Sequence, residues 1–292
     1  MERYVVHVTK KCNLDCKYCY ETDKSSLYTW DEVKEVIDNI AKFNKDRIFE
    51  IEFLGGEPLL AFDIIKSAVE YIEKLKNVEV HRYMITTNGT ILNPDIDEFL
   101  YAYPTVHIGI SLDGNKSMNQ LRVFKDTQLN SYDTVIENIN ILLASGYKDR
   151  LSVHIVTHPY NIGYLSKGIK HLYNKGVRII GIGTVENTLP LTDEYMEVFK
   201  REFKEISTDI LNDKYPDLRI DLLEYLKPKS DQRHYIKDET GKTIAESYGR
   251  TKDDITSQDI YNSYVGKSPL GEIIYDLREF VYLQNQEIQN VG

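Results

Sequence analysis

The sequence predicts an α/β fold built on a parallel sheet, and three observations carry that prediction. Short β-branched or aromatic runs alternate with longer amphipathic stretches, each stretch follows a run, and glycines stand where helices would end. Runs at Tyr4–Val8, Ile48–Phe53, Val80–Thr86, Val106–Ser111, Leu151–Thr157 and Arg178–Gly183 give six strands. The first helix falls on Trp30–Phe43, where Val33, Ile37 and Ile40 recur at helical spacing and Thr29 with Glu32 forms a capping box. Ile64–Leu75, Asp95–Tyr101, Tyr132–Leu143 and Tyr164–Asn174 give the next four helices, with Gly146 and Gly176 as C-terminal caps. Six βα units in this order fit either a barrel short of two units or an open doubly wound sheet; both gather ligands at the C-terminal ends of the strands. After Thr184 the pattern changes: Thr192–Leu211 reads as a long helix, 212–267 as polar and turn-rich, and 270–284 as a final amphipathic stretch.

With 292 residues and 41% hydrophobic content, the chain can bury one large core. A formal charge of -10 argues against affinity built on contact with phosphate backbones, so no nucleic-acid partner is expected. No apolar run is long enough to cross a bilayer and no charged-then-apolar leader follows Met1, which makes a cytoplasmic protein without a membrane partner the expectation. All three cysteines lie between positions 12 and 19, an odd and tightly clustered set that cannot be a disulfide framework and points to metal ligation.

Cys12, Cys16 and Cys19 follow directly on the first strand, so the thiols occupy the first strand-to-helix loop, on the ligand face. Three closely spaced thiolates can hold three corners of a cubane whose fully protein-bound form needs four cysteines, leaving one iron open. The competing readings are a zinc site, with a histidine such as His7 as the fourth ligand, or unligated thiols; structural zinc ligands usually come as separated pairs and the chain has no second pair. The spacing C-x3-C-x2-C, with the aromatic Tyr18 before the last cysteine, resembles the signature of the radical S-adenosylmethionine (SAM) superfamily. The wider run from Thr9 to Tyr20 resembles its peptide- and protein-modifying branch, which includes the anaerobic sulfatase-maturing enzymes and maturases of ribosomal peptides. This resemblance implies a partial (β/α)6 TIM barrel over residues 1–190 and a C-terminal α-rich extension over 191–292 that caps the site or engages substrate. It also implies a [4Fe-4S] cluster on the three cysteines, SAM as its partner, and Tyr18 on the cofactor side.

Further motifs sit at the ends of later strands. Gly55-Gly56-Glu57-Pro58 follows the second strand, where two residues without Cβ let backbone approach a ligand closely. In the resembled family this element contacts the SAM amino group through backbone and carboxylate. Thr86-Thr87-Asn88-Gly89 resembles the family's Thr-x-Asn-Gly turn, which brings Thr87 and Asn88 near the cofactor. Ser111-Leu112-Asp113-Gly114 is similar to the Ser-Leu-Asp-Gly element of the peptide-modifying branch, which implies Ser111 and the later Arg122 near the SAM carboxylate or ribose and Asp113 among the cofactor-binding residues. Just before that arginine, Met118-Asn119 departs from the His followed by Asp or Asn that relatives often carry. Thr157 and the following Asn161 are expected at the adenosine end, and Glu186, past the sixth strand, is the candidate proton acceptor on the substrate side.

No cysteine follows Cys19, so this chain has no thiols for the auxiliary clusters of close relatives. An oxidised substrate radical must then return its electron to the first cluster or to an external carrier such as flavodoxin or ferredoxin. A redox-neutral rearrangement, an elimination, or a crosslink with electron return therefore ranks above cysteine-dependent epimerisation. The branch implies a peptide or protein side chain as substrate. Two other readings stay open: an activase that installs a glycyl radical, against which Ser111-Leu112-Asp113 stands where such activases show Asp-Leu-Lys, and a catalytically degenerate module that binds SAM or a cluster.

Overall fold

The computed structural model describes residues 2–44, 48–76, 78–185, 189, 192–221, 232–237 and 243–249. Strands and helices alternate as β1 (Glu2–Thr9), α1 (Trp30–Phe43), β2 (Ile48–Gly55), α2 (Phe62–Ile72), β3 (Glu79–Thr87), α3 (Pro94–Ala102), β4 (Val106–Ser111) and α4 (Tyr132–Ala144). They continue as β5 (Leu151–Thr157), α5 (Leu165–Asn174), β6 (Ile179–Thr184), α6 (Asp193–Leu211) and β7 (Arg219–Ile220). The sheet runs in chain order from β1 to β7, with every neighbouring pair parallel. A doubly wound sheet would reverse its order at a switch point; this one does not, and its winding is that of a partial barrel.

Alternation along the strands sets the two faces of the wall. Tyr4, Val6 and Val8 of β1, Phe49, Ile51 and Phe53 of β2, and Ile108 and Ile110 of β4 are buried against the helices. Val33, Ile37 and Ile40 of α1 meet them from the other side, as the helical spacing requires. The Thr29 capping box forms, with the Glu32 amide donating to Thr29 Oγ1 at 3.3 Å and the Thr29 amide to Glu32 Oε2 at 2.8 Å. Tyr195, Phe199, Phe203 and Ile206 of α6 join the same core.

The inner face is different in kind. Barrel interiors are ordinarily filled by branched apolar side chains, but here Arg3 lies 3.3 Å from Glu50 and 3.4 Å from Glu52, Arg82 lies 2.9 Å from Glu50, and Thr86 donates to Glu52 at 2.6 Å. The lumen is lined with half-buried charge.

The stretch read as polar and turn-rich contains strands. β7 extends the sheet by two residues, and β8 (Gln232–Lys237) pairs antiparallel with β9 (Thr243–Gly249), so the extension is not helical alone. A two-residue strand is too short for alternation to register in sequence. The amphipathic stretch 270–284 lies outside the described residues. No helix among the described residues is long and apolar enough to cross a membrane.

Candidate active site

The cysteine loop joins β1 to α1 and takes its shape from backbone hydrogen bonds to neighbouring segments. The amide of Lys10 donates to Ser26 O at 2.8 Å, Asp15 to Val123 O at 2.8 Å, Lys17 to Leu121 O at 3.0 Å, and Lys125 donates back to Asn13 O at 2.9 Å. Buried Leu14 pins the middle of the loop, and Cys19 closes a turn on Cys16 O at 3.1 Å. All three thiols are free and half-buried. Burial pushes the Cys12 thiol up, and pushes Cys16 up to about 11 against the pull of the Arg122 guanidinium. Thiols held in this way become thiolates only when a cation is there to take them. Among the described residues, no three His, Cys, Asp or Glu side chains are gathered closely enough to share a single ion. Three thiols spread along one loop suit a cluster that takes one thiolate per iron better than a tetrahedral zinc.

Gly55 and Gly56 lie against this loop. A Cβ on Gly55 would stand 2.1 Å from Thr9 O, and one on Gly56 would stand 2.4 Å from Lys10 O and 2.5 Å from Lys11 O. The Gly56 amide donates to Thr9 O at 2.9 Å and the Glu57 amide to Lys11 O at 2.8 Å. The missing side chains therefore serve the contact between two protein loops, where the sequence suggested room for a ligand. Gly56→Ala is accordingly expected to force the loops apart, costing about 1–3 kcal/mol as overpacking does and lowering iron incorporation; urea titration and iron content per chain check both.

Glu57 braces the same region from inside the protein. Its carboxylate is fully buried; Oε1 accepts from the Leu59 amide at 3.0 Å and from the Thr87 hydroxyl at 2.7 Å, and Oε2 accepts from the Asn88 amide at 2.7 Å. Burial raises the carboxyl above its ordinary range, opposed by these three donors. The carboxylate thus ties the end of β2 to the end of β3, while Pro58 opens the short turn of 3-10 helix that follows. Thr87 is likewise turned inward. Asn88 reaches the cysteine loop, donating to Asn13 Oδ1 at 2.8 Å with its Nδ2 3.7 Å from Cys12 Sγ.

A buried polar cluster adjoins Cys16. Asp113, with no exposure, accepts from the Tyr18 hydroxyl and, at 3.0 Å, from the Val156 amide; its own amide donates to Asn119 Oδ1 at 3.1 Å. Arg122 Nε lies 3.1 Å from Asp113 Oδ2 as an ion pair, not aligned as a hydrogen bond, and its guanidinium sits 5.3 Å over the Tyr18 ring. Burial is the largest single influence and works against the arginine's charge, but Asp113, Tyr18 and Cys16 together outweigh it and hold Arg122 above its ordinary range. No acceptor among the described residues takes its Nη donors. Asp113 thus anchors Arg122 and Tyr18. Met118 fills the space beside it: a Cβ on Gly114 or on Gly168 would stand 2.6 Å or 2.4 Å from its sulfur.

Thr157 does not face this cluster. Its side chain has no exposure, and its hydroxyl donates to Gly183 O at 2.9 Å and pairs with Tyr195 OH at 2.6 Å, because its place in the alternation of β5 turns it toward α6. Asn161 caps the turn after β5, accepting from the His158 amide at 2.8 Å and donating to Val156 O at 2.9 Å. Ser111 is half-buried at the end of β4. Glu186 lies outside the described residues. Two residues escaped the sequence reading. Asn119 stood in view only as a departure from a pattern, and its side chain also donates to Asn130 Oδ1 at 3.0 Å and Ser131 Oγ at 3.2 Å. His158 carried one signal, its place directly after a strand on the ligand face.

The family model described as the Radical SAM superfamily matches residues 6–167. An uncharacterized protein of Methanocaldococcus jannaschii, MJ0907, is 32% identical over 182 residues, 62% of this chain and 61% of that protein. A GTP 3',8-cyclase of Clostridium perfringens is 26% identical over 214 residues, 69% of this chain and 63% of the cyclase. Among solved structures, native anSMEcpe with bound AdoMet and Cp18Cys peptide superposes with a TM-score of 0.67 at 19% identity, covering 77% of this chain and 64% of that one. The chain thus spans somewhat over three fifths of the length of these proteins.

Proposed function

The chain belongs to the radical SAM superfamily, whose members bind a [4Fe-4S] cluster and SAM, and from that premise we propose that it abstracts hydrogen from a peptide or protein side chain. The observation that carries this reading is the interlock of the three-cysteine loop after β1 with Gly55–Glu57 and Asn88 at the ends of the next two strands. Cys12, Cys16 and Cys19 would hold the cluster, which together with SAM supplies reductive cleavage to methionine and a 5′-deoxyadenosyl radical. The Nη donors of Arg122, held by Asp113 across the face of Tyr18, are suited to the carboxylate of the methionine end; backbone of 55–57 and the side chain of Ser111 complete that pocket. Glu186 is assigned the proton-acceptor role by its position after β6. Residues 1–190 form the catalytic unit in this reading and 191–292 the segment that engages substrate.

A peptide substrate is supported by the Ser111–Gly114 element and by the peptide held in anSMEcpe. With no thiol beyond Cys19 in this chain, electrons come from an external carrier such as flavodoxin or ferredoxin. A second reading, a small polar substrate, has its own support in the similarity to a GTP 3',8-cyclase and in the charged inner face.

Anaerobic reconstitution with iron and sulfide, followed by dithionite and SAM, is expected to yield 5′-deoxyadenosine by chromatography, with more formed when the cognate peptide is added and that peptide changed in mass. Absence of 5′-deoxyadenosine from iron-loaded protein would remove the catalytic reading. Turnover that leaves every candidate peptide unmodified while consuming a nucleotide would favour the second.

A further inference from the structure

His158 sits directly after β5 with 1% of its surface exposed. Its Nδ1 accepts the Tyr160 amide at 3.2 Å, so in the neutral ring the proton is on Nε2. Burial lowers its basicity and keeps the ring neutral. That Nε2–H is buried and has no hydrogen-bond partner among the described residues. Buried donors are nearly always satisfied, so an orphan beside a binding site points to a group that arrives from outside the chain.

The surroundings of the ring indicate which group. Its centroid lies 5.2 Å from that of Tyr18 in the cysteine loop and 6.0 Å from that of Tyr160. SAM has a charged methionine end and an uncharged, aromatic adenosine end. Arg122, on the face of Tyr18, supplies the cation that the methionine carboxylate calls for. His158 offers a neutral donor between aromatic rings, which matches the acceptors of a purine or ribose and has no charge to offer a carboxylate.

We propose that His158 is a cofactor-binding residue whose Nε2–H donates to the adenosine moiety of SAM. The assignment rests on the reading that this chain binds SAM. It gives the site a contact that neither the cysteine loop nor the Gly-Gly-Glu-Pro element supplies.

The test uses the full chain, anaerobically reconstituted and matched for iron content, as wild type, His158→Phe and His158→Gln. Affinities for SAM and for 5′-methylthioadenosine are read by equilibrium dialysis, and contact at the methionine end by the shift that L-methionine induces in the electron paramagnetic resonance spectrum of the reduced cluster. His158→Phe keeps the aromatic volume without the donor and is expected to bind both adenosine ligands about tenfold more weakly. His158→Gln, which carries an N–H at a similar reach, is expected to restore most of that loss, and the L-methionine shift is expected to stay the same in all three proteins. Unchanged affinity in His158→Phe overturns the assignment, as does a loss that glutamine fails to rescue or that extends to the L-methionine shift, since either would mark a purely structural role. Wild-type protein that carries the cluster yet binds no SAM would instead overturn the underlying reading, and this inference with it.

Discussion

Cys16→Ala is expected to leave the barrel folded while reducing SAM cleavage to background. The thiol sits on a loop whose shape comes from the amides of its neighbours, Asp15 on Val123 O and Lys17 on Leu121 O, and none of those bonds uses sulfur. The core that holds the barrel together lies on the opposite face of the strands, against the helices. Removing the thiolate therefore subtracts a metal ligand and little else, leaving two thiolates for a cluster that needs three from this chain. The expected record is a melting curve close to wild type, iron and sulfide far below stoichiometric, and no 5′-deoxyadenosine. A Cys16→Ala protein that still forms 5′-deoxyadenosine at a wild-type rate would show that the cysteines do not carry the chemistry.

Glu57→Ala should do the reverse, damaging stability first and activity through it. Three donors converge on that buried carboxylate: the Leu59 amide, the Thr87 hydroxyl and the Asn88 amide. Each buried donor left without an acceptor costs about 1–3 kcal/mol, and the hydroxyl can turn elsewhere while the two amides cannot, so a loss of about 3 kcal/mol or more is expected. For a domain of this size that corresponds to a fall in melting temperature of roughly 6–12 °C. Asn88 is also a link to Asn13 and lies near the Cys12 sulfur, so iron loading should fall in parallel. Calorimetry with iron quantification measures both, and a melting temperature within about a degree of wild type would mean that the carboxylate is not the brace described above.

The ends of these two experiments mark what was legible in the sequence and what was not. Elements with strong periodicity were readable to the residue: α1, β4 and β5 run over the spans that the pattern predicts. The cysteine loop and its place on the ligand face were readable too, because spacing within eight positions is local information. What escaped depends on pairs far apart in the chain. Tyr18 meets Asp113 across 95 positions, and Asn88 meets Asn13 across 75, so no local pattern distinguishes a residue that faces a ligand from one that holds such a residue. That is why the internal partners of Glu57, Asp113 and Thr157 were not readable beside their expected place at the cofactor. The glycines show the same limit: sequence indicates that a Cβ is unwelcome, and only the fold says that the neighbour is the backbone of 9–11.

The seat of Met118 has a consequence for how such a protein would fail in air. Its thioether lies against the backbones of Gly114 and Gly168, so close that a Cβ on either would stand 2.6 Å or 2.4 Å from the sulfur. Sulfoxide formation there, once local opening exposed the sulfur, would prevent the segment from reseating. The residues displaced would be its neighbour Asn119 and, through it, the amide of Asp113. Oxidants thus have a second target in this molecule besides iron and sulfide, one that restoring the metal would not repair.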